Sequence, residues 1–129
     1  DVALSPDGSR HDLLLLTKQP QRAAAFASWL KTQGVNWPEN VWLGVSITSK
    51  TSLPRIGHLA KVPAAHHYLS IEPLVGDPEL TVSHVQGIVD WMIVGGESDQ
   101  GQRAARPFHV EWAEKVIDLG QKTGVAVFV

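Results

Sequence analysis

The feature that most limits what this chain can fold into is an alternation. Apolar runs of strand length break at their C-terminal ends into Gly, Ser, Thr or a charge, and segments with helical spacing separate them. The runs are Asp12–Thr17, Val41–Thr48, His67–Glu72 and Asp90–Val94, and a fifth, Val125–Val129, reaches the last residue. Between them, Gln21–Gln33 places Ala23, Phe26, Ala27 and Leu30 at i, i+3, i+4, i+7, with Pro20 suited to the first turn and Gly34 to the stop. Ser52–Lys61 is a shorter helical segment, with Ser52 as N-cap, Pro54 early, and Ile56, Leu59 and Ala60 inward. Glu111–Gln121 follows Pro107 and gathers Ala113, Val116, Ile117 and Gly120 on one face, with Gly124 after its end. Residues 73–90 are punctuated by Gly and Pro and hold at most one helical turn, near Ser83–Gln86. Residues 1–11 read as a loop or linker.

Strands alternating with helices predict a parallel sheet joined by right-handed crossovers. The expected class is therefore α/β, with about five mostly parallel strands alternating with three helices. The parity of the strands decides between two such sheets. Val41, Leu43, Val45 and Ile47 form one face of the second strand, and Trp42, Gly44, Ser46 and Thr48 the other. In the third strand Leu69 and Ile71 oppose Tyr68, Ser70 and Glu72. A doubly wound sheet is covered by helices on both sides and should be apolar on both. Here only one face is aliphatic, and the other grows more polar toward the strands' C-terminal ends, as the inside of a (β/α) barrel does. A complete barrel takes about 250 residues, so 129 residues form a single domain, expected to be at most about half of a larger barrel.

Composition narrows the chemistry. The net charge of −2 leaves no broad basic surface for nucleic acid. The absence of Cys removes disulfides, thiolate nucleophiles and thiolate metal sites. The six histidines show no HxxxH or HxH spacing, so no metal site is expected. No signal peptide or membrane-length apolar run is visible, which makes the cytoplasm the expected location.

Polar residues gather where the strands end, the position at which βα loops build barrel active sites. Lys18 opens the first βα loop and can meet a phosphate or carboxylate as a point charge. Ser46 closes the inner face of the second strand. Glu72 shares parity with Ser70 and should point inward, where a carboxylate needs a cation such as Lys18 or an Arg, or a ligand. Gly95-Gly96-Glu97-Ser98 is a tight turn whose glycines either admit an anion or a nucleotide to backbone N–H groups or simply pack closely. Arg106, with Arg103, stands beside it as an anion-binding candidate. No residue is singled out as catalytic.

Five ordered motifs carry a resemblance: Leu16-Thr17-Lys18-Gln19-Pro20-Gln21-Arg22, Pro38 to Ser46, Leu69-Ser70-Ile71-Glu72-Pro73-Leu74, Asp90 to Ser98, and Ala105-Arg106-Pro107. From about Leu13 onward the chain resembles the C-terminal half of an uncharacterised phage and bacterial protein family grouped with radical-SAM-like barrels. The resemblance implies a S-adenosylmethionine and substrate site at the strand ends, and an iron–sulfur cluster held by cysteines in an upstream segment. Gln19 stands where that family has Arg, and Asp99–Ala104 is longer than the usual link. The implied partner is the missing N-terminal half of the barrel. Left alone, a slice with two open edges and an inner face carrying Trp42, Tyr68 and Trp91 should self-associate, most readily through Val125–Val129. Two other readings use the same strand ends: a non-catalytic nucleotide- or anion-binding module, and a phage-associated interaction scaffold.

Overall fold

The structure is a computed structural model that describes residues 2–99, 101 and 103–129. Five strands, β1 (Leu13–Thr17), β2 (Val41–Ser46), β3 (His67–Ile71), β4 (Trp91–Val94) and β5 (Ala126–Phe128), alternate with four helices, α1 (Pro20–Thr32), α2 (Pro54–Leu59), α3 (Val82–Val85) and α4 (Val110–Thr123). Short 3-10 turns cover Val2–Leu4, Gly8–Arg10 and Lys50–Ser52. The single turn expected within residues 73–90 is α3, so the helices number four rather than three.

All neighbouring strands are parallel, and their spatial order is their chain order, β1-β2-β3-β4-β5. With right-handed crossovers, an order that never reverses puts every connecting helix on the same side of the sheet. One core cluster accordingly joins Leu43, Val45, Leu69, Ile71, Met92 and Val94 of the strands to Ala27, Ile56, Leu59, Val85, Ala113, Val116 and Leu119 of the helices. Leu69 and Ile71 thus lie beneath the helices, as their parity requires. The sheet is open, with β1 and β5 as its edges, and these strands do not close a barrel among themselves.

The uncovered face differs from its expected form at Tyr68, which is buried rather than part of an exposed aromatic patch. Gly44 is the reason. It pairs with Tyr68 across β2 and β3, and a Cβ there would collide with the Tyr68 ring. The ring lies flat over the glycine and leans on Trp91, with centroids 5.9 Å apart. Burial raises the Tyr68 pKa above its ordinary value.

A second departure is in α1. Phe26 is exposed, stacking on Trp29 at 5.6 Å, because edge strand β1 offers α1 a single flank. Leu14, Leu15 and Leu16 are themselves about half exposed (45%, 49% and 51%). Helix α4 ends at Gly124 in the left-handed region (φ 73°), a conformation free of Cβ strain for glycine.

At the N-terminal ends of the strands, polar groups are occupied. The Asn40 side-chain amide reaches the carbonyls of Ala3, Gly8 and His11 at 3.3, 3.1 and 2.9 Å. Both ring nitrogens of His67 meet backbone carbonyls, Nδ1 at Ile88 (3.1 Å) and Nε2 at Val62 (2.9 Å). The Asp90 carboxylate accepts from the His67 backbone N–H at 2.9 Å, and Trp37 Nε1 donates to the Val41 carbonyl at 2.8 Å.

Candidate functional site

The C-terminal ends of the strands form the opposite rim. At its β1 end, Thr17 Oγ1 accepts the Gln19 backbone N–H at 2.9 Å, turning the chain into α1. Arg22, in the first turn of that helix, donates from Nη1 to Gln19 Oε1 at 3.3 Å. Leu16, Thr17, Lys18, Gln19, Arg22, Ala23 and Ser46 line an open cavity of about 620 Å³. No carboxylate of the described residues lies on its wall. Lys18 is exposed and makes no ion pair among the described residues.

Ser46 ends β2 and is only 3% exposed. Its carbonyl accepts from Arg55 Nη1 at 2.6 Å, while its hydroxyl makes no hydrogen bond among the described residues. Arg55, at the start of α2, was not among the sequence candidates, and neither was Arg22. The signal for both was their place in the first turn of a helix that follows a strand and begins at a proline.

In β3, Ser70 is buried on the face away from the helices, and its hydroxyl donates to Glu72 Oε2 at 3.3 Å. Glu72 lies one residue past the strand and keeps to the face of Ser70, as its parity requires, but it is exposed and forms no ion pair with Lys18 or with any arginine among the described residues. Solvent reaches the carboxylate, so the cost that would demand a cation does not arise. The side chain lies over Gly95, where a Cβ would meet its carboxylate, and the Glu72–Pro73 peptide is cis.

The Gly95–Ser98 turn is tied down from within. The Gly95 N–H donates to Ile71 O at 3.3 Å and its carbonyl accepts from Leu74 N–H at 2.9 Å. Gly96 lies against the Phe108 ring. These glycines serve close packing, and the Gly95 N–H is taken by the sheet rather than offered to an anion. Ser98 is exposed.

Arg106 was expected to hold an external anion. Instead it grips Glu97, with Nε to Oε2 at 2.8 Å, Nη2 to Oε1 at 2.7 Å and its own backbone N–H to Oε2 at 3.0 Å. Those bonds hold the Glu97 carboxyl down to about 2 and raise the Arg106 guanidinium. The two candidates neutralise each other and pin the ends of the loop between them. Farther along, Lys115 pairs with Asp77 and lowers its carboxyl.

The register fixes the spacing of what remains. Thr17 pairs with Val45, and Ser46 with Ser70, so Lys18 stands level with Ser46 and Ser70. Two strand spacings of about 4.8 Å separate β1 from β3, which puts the Lys18 and Glu72 backbones on the order of 10 Å apart laterally. No group of three or more His, Cys, Asp or Glu that could hold a metal ion occurs among the described residues. No helix among them is long and apolar enough to cross a membrane.

No curated protein and no solved structure matches the chain. One family model does, and it begins well before the Leu13 start of the motif resemblance. On that match, over residues 2–129, the chain belongs to the family described as "Protein of unknown function (DUF5131)".

Proposed function

We propose that the C-terminal rim of the sheet is a small-molecule site, and that this chain supplies the later strands of a radical-SAM-like barrel. The carrying observation is the contrast between the two ends of the same strands. Side-chain polar groups at the N-terminal ends are bonded to backbone, whereas at the other end Lys18 and the Glu72 carboxylate make no ion pair among the described residues. Sequential strand order, helices packed on one face and a polar rim support the barrel reading.

In this reading Glu72, oriented by Ser70, accepts hydrogen bonds from the amino or hydroxyl groups of S-adenosylmethionine or a substrate. Lys18 meets an anionic group about 10 Å away. The chain lacks Cys, so its residues do not fit an iron–sulfur cluster. Such a cluster belongs to the upstream half that the resemblance implies, and no step here runs through it. That half would also cover the exposed leucines of β1. The same reading carries a cytoplasmic setting and a phage-related origin with it.

The test uses full-length protein purified without oxygen, assayed for iron and for S-adenosylmethionine binding by equilibrium dialysis. Bound iron and saturable binding that falls about tenfold in Glu72→Gln are expected, the loss of one charge-assisted hydrogen bond being of that order. Iron-free protein with no affinity for S-adenosylmethionine would return the rim to a non-catalytic ligand module.

A further inference from the structure

We infer that the open edge of β1 is a self-pairing surface, on which a second copy of this chain adds its own β1 in antiparallel register centred on Leu15. The proposed function gives the same edge to an upstream half. The inference does not rest on that reading and concerns the 129-residue chain with the edge open. Among the described residues β1 has a strand neighbour on one side only. The Leu13 N–H donates to the carbonyl of Asn40, just before β2, at 2.7 Å. Backbone direction alternates along a strand, so Leu14 and Leu16 turn their N–H and C=O groups to the open edge. An unpaired row of this kind is a template for another strand. β5, the opposite edge, is only three residues long, which favours β1 over Val125–Val129 as the contact.

Two observations point to a copy of the same chain as the occupant. The first is charge. Asp12 and Lys18 flank β1, both are exposed, and neither makes an ion pair among the described residues. They stand three residues to either side of Leu15, so an antiparallel copy turned about Leu15 sets each Asp12 opposite the other copy's Lys18. The same register opposes Leu14 to Leu16 of the other copy, a pair in which both residues face outward and exchange hydrogen bonds. Sliding by one residue would set outward groups against inward ones, and sliding by two would break both ion pairs. Lys18 is shared with the proposed ligand site, so an anion bound there competes with Asp12 of the second copy.

The second observation is apolar area. A two-fold axis normal to the sheet keeps both helix layers on one side, so α1 meets its counterpart where β1 meets its own. Leu15, Phe26 and Trp29 line one groove of about 420 Å³ beside the edge, and Leu14 and Leu16 lie on the other face. These five side chains are between 45% and 54% exposed, which leaves roughly 100 Å² on each, half the area of a buried aromatic. Pairing two copies would cover about 1,000 Å², the size at which a specific interface begins.

Sedimentation equilibrium of the chain across the micromolar range should show monomer and dimer in exchange. The Leu14 and Leu16 amides should gain protection from hydrogen exchange as the dimer forms. Leu15→Lys sets two ammonium groups together on the axis and should abolish the dimer. Asp12→Lys and Lys18→Asp each set like charges across both pairs and should weaken it about tenfold, the order expected when two exposed pairs turn repulsive. The double reversal makes the charges complementary again and should restore it. Phe128→Lys, on the β5 edge, should leave it unchanged.

A monomer at every concentration, with the Leu14 and Leu16 amides exchanging freely, would overturn the inference and leave the edge to an upstream half. A dimer that survives Leu15→Lys, or that Phe128→Lys abolishes, would overturn it by moving the contact elsewhere. Single reversals that the double reversal fails to rescue would remove the register, and with it the case for a second copy. Open-ended assemblies would count against it too, because an isologous pair closes at two. Should Leu15→Lys fail to fold, as far-ultraviolet circular dichroism would show, the charge reversals at exposed positions decide alone.

Discussion

β1 (LLLLT) and β3 (HYLSI) are both five-residue parallel strands, yet they end in opposite environments. In β3, Leu69 and Ile71 are wholly buried between two neighbouring strands and the overlying helices. In β1, three successive leucines stay about half exposed, with one strand neighbour and a helix whose Phe26 and Trp29 also face outward. Composition alone would bury β1, with four leucines, ahead of β3, with two aliphatic residues. Position in the sheet decides instead, because burial depends on what flanks a side chain and only secondarily on its hydrophobicity. An apolar strand at the edge is a surface, and it gains its stabilisation only when something covers it.

The largest expected effect tests the buried member of that pair. Leu69→Ala should cost about 2–5 kcal/mol, the range for emptying a packed core site, read as a shift in the urea midpoint at unchanged slope. A loss below about 1 kcal/mol would show the centre to be no better packed than the edge. Next comes Gly44→Ala, where the new methyl must displace the Tyr68 ring. Overpacking of that kind costs about 1–3 kcal/mol, and Tyr68 fluorescence or ring-proton shifts should move with it. His67→Ala should follow at about 1–3 kcal/mol, because the ring N–H that donates to one of the two facing backbone carbonyls is lost. The Leu15→Ala change at the edge should stay under about 1 kcal/mol in the same urea assay, being a substitution at a half-exposed site. Its clearer readout is sedimentation, where reduced self-association would mark β1 as the contact strand.

Smallest in stability, yet sharp in its readout, is the titration of Glu97. Its folded carboxyl, held to about 2 against an ordinary 4.5, favours the folded loop at every pH above about 4.5. That contribution fades as pH falls from 4.5 and is gone below 2. Arg106 stays charged throughout. Carboxyl carbon shifts should give a midpoint near 2, returning to the ordinary range in Arg106→Gln. A wild-type midpoint near 4.5 would mean the clamp is open in solution.

What could be read from the residues follows the same division. The parity of β2 and β3 is a local property, so the buried face, the parallel class and the helix positions were legible from side-chain alternation and from Pro and Gly at the boundaries. The exposure of Glu72 and the pairing of Arg106 were not. Glu72 keeps to the face of Ser70 but sits past the last ladder pair, where solvent reaches it. Arg106 meets a carboxylate nine residues earlier, across a loop whose geometry no periodicity encodes. Ser46 was legible as a polar strand end, but the cavity it lines takes α1 as well as β2 to make. Phe26 fits the helical stripe by spacing and is exposed for want of a second strand beside β1.

The clamps beneath the strands, Asn40 on three carbonyls and His67 on two, bear on how this chain can change over evolutionary time. They fix the lower ends of β1 to β4 through bonds that involve no residue of the upper rim. Substitutions at Lys18, Arg22 or Glu72 therefore act on side chains that the lower half does not lean on, and a lineage can revise its ligand there while the backbone below stays in place. The reverse does not hold. An exchange at Asn40 or His67 would loosen the footing of every residue above it, so tolerance to mutation should be higher at the exposed rim positions Lys18, Arg22 and Glu72 than at these two.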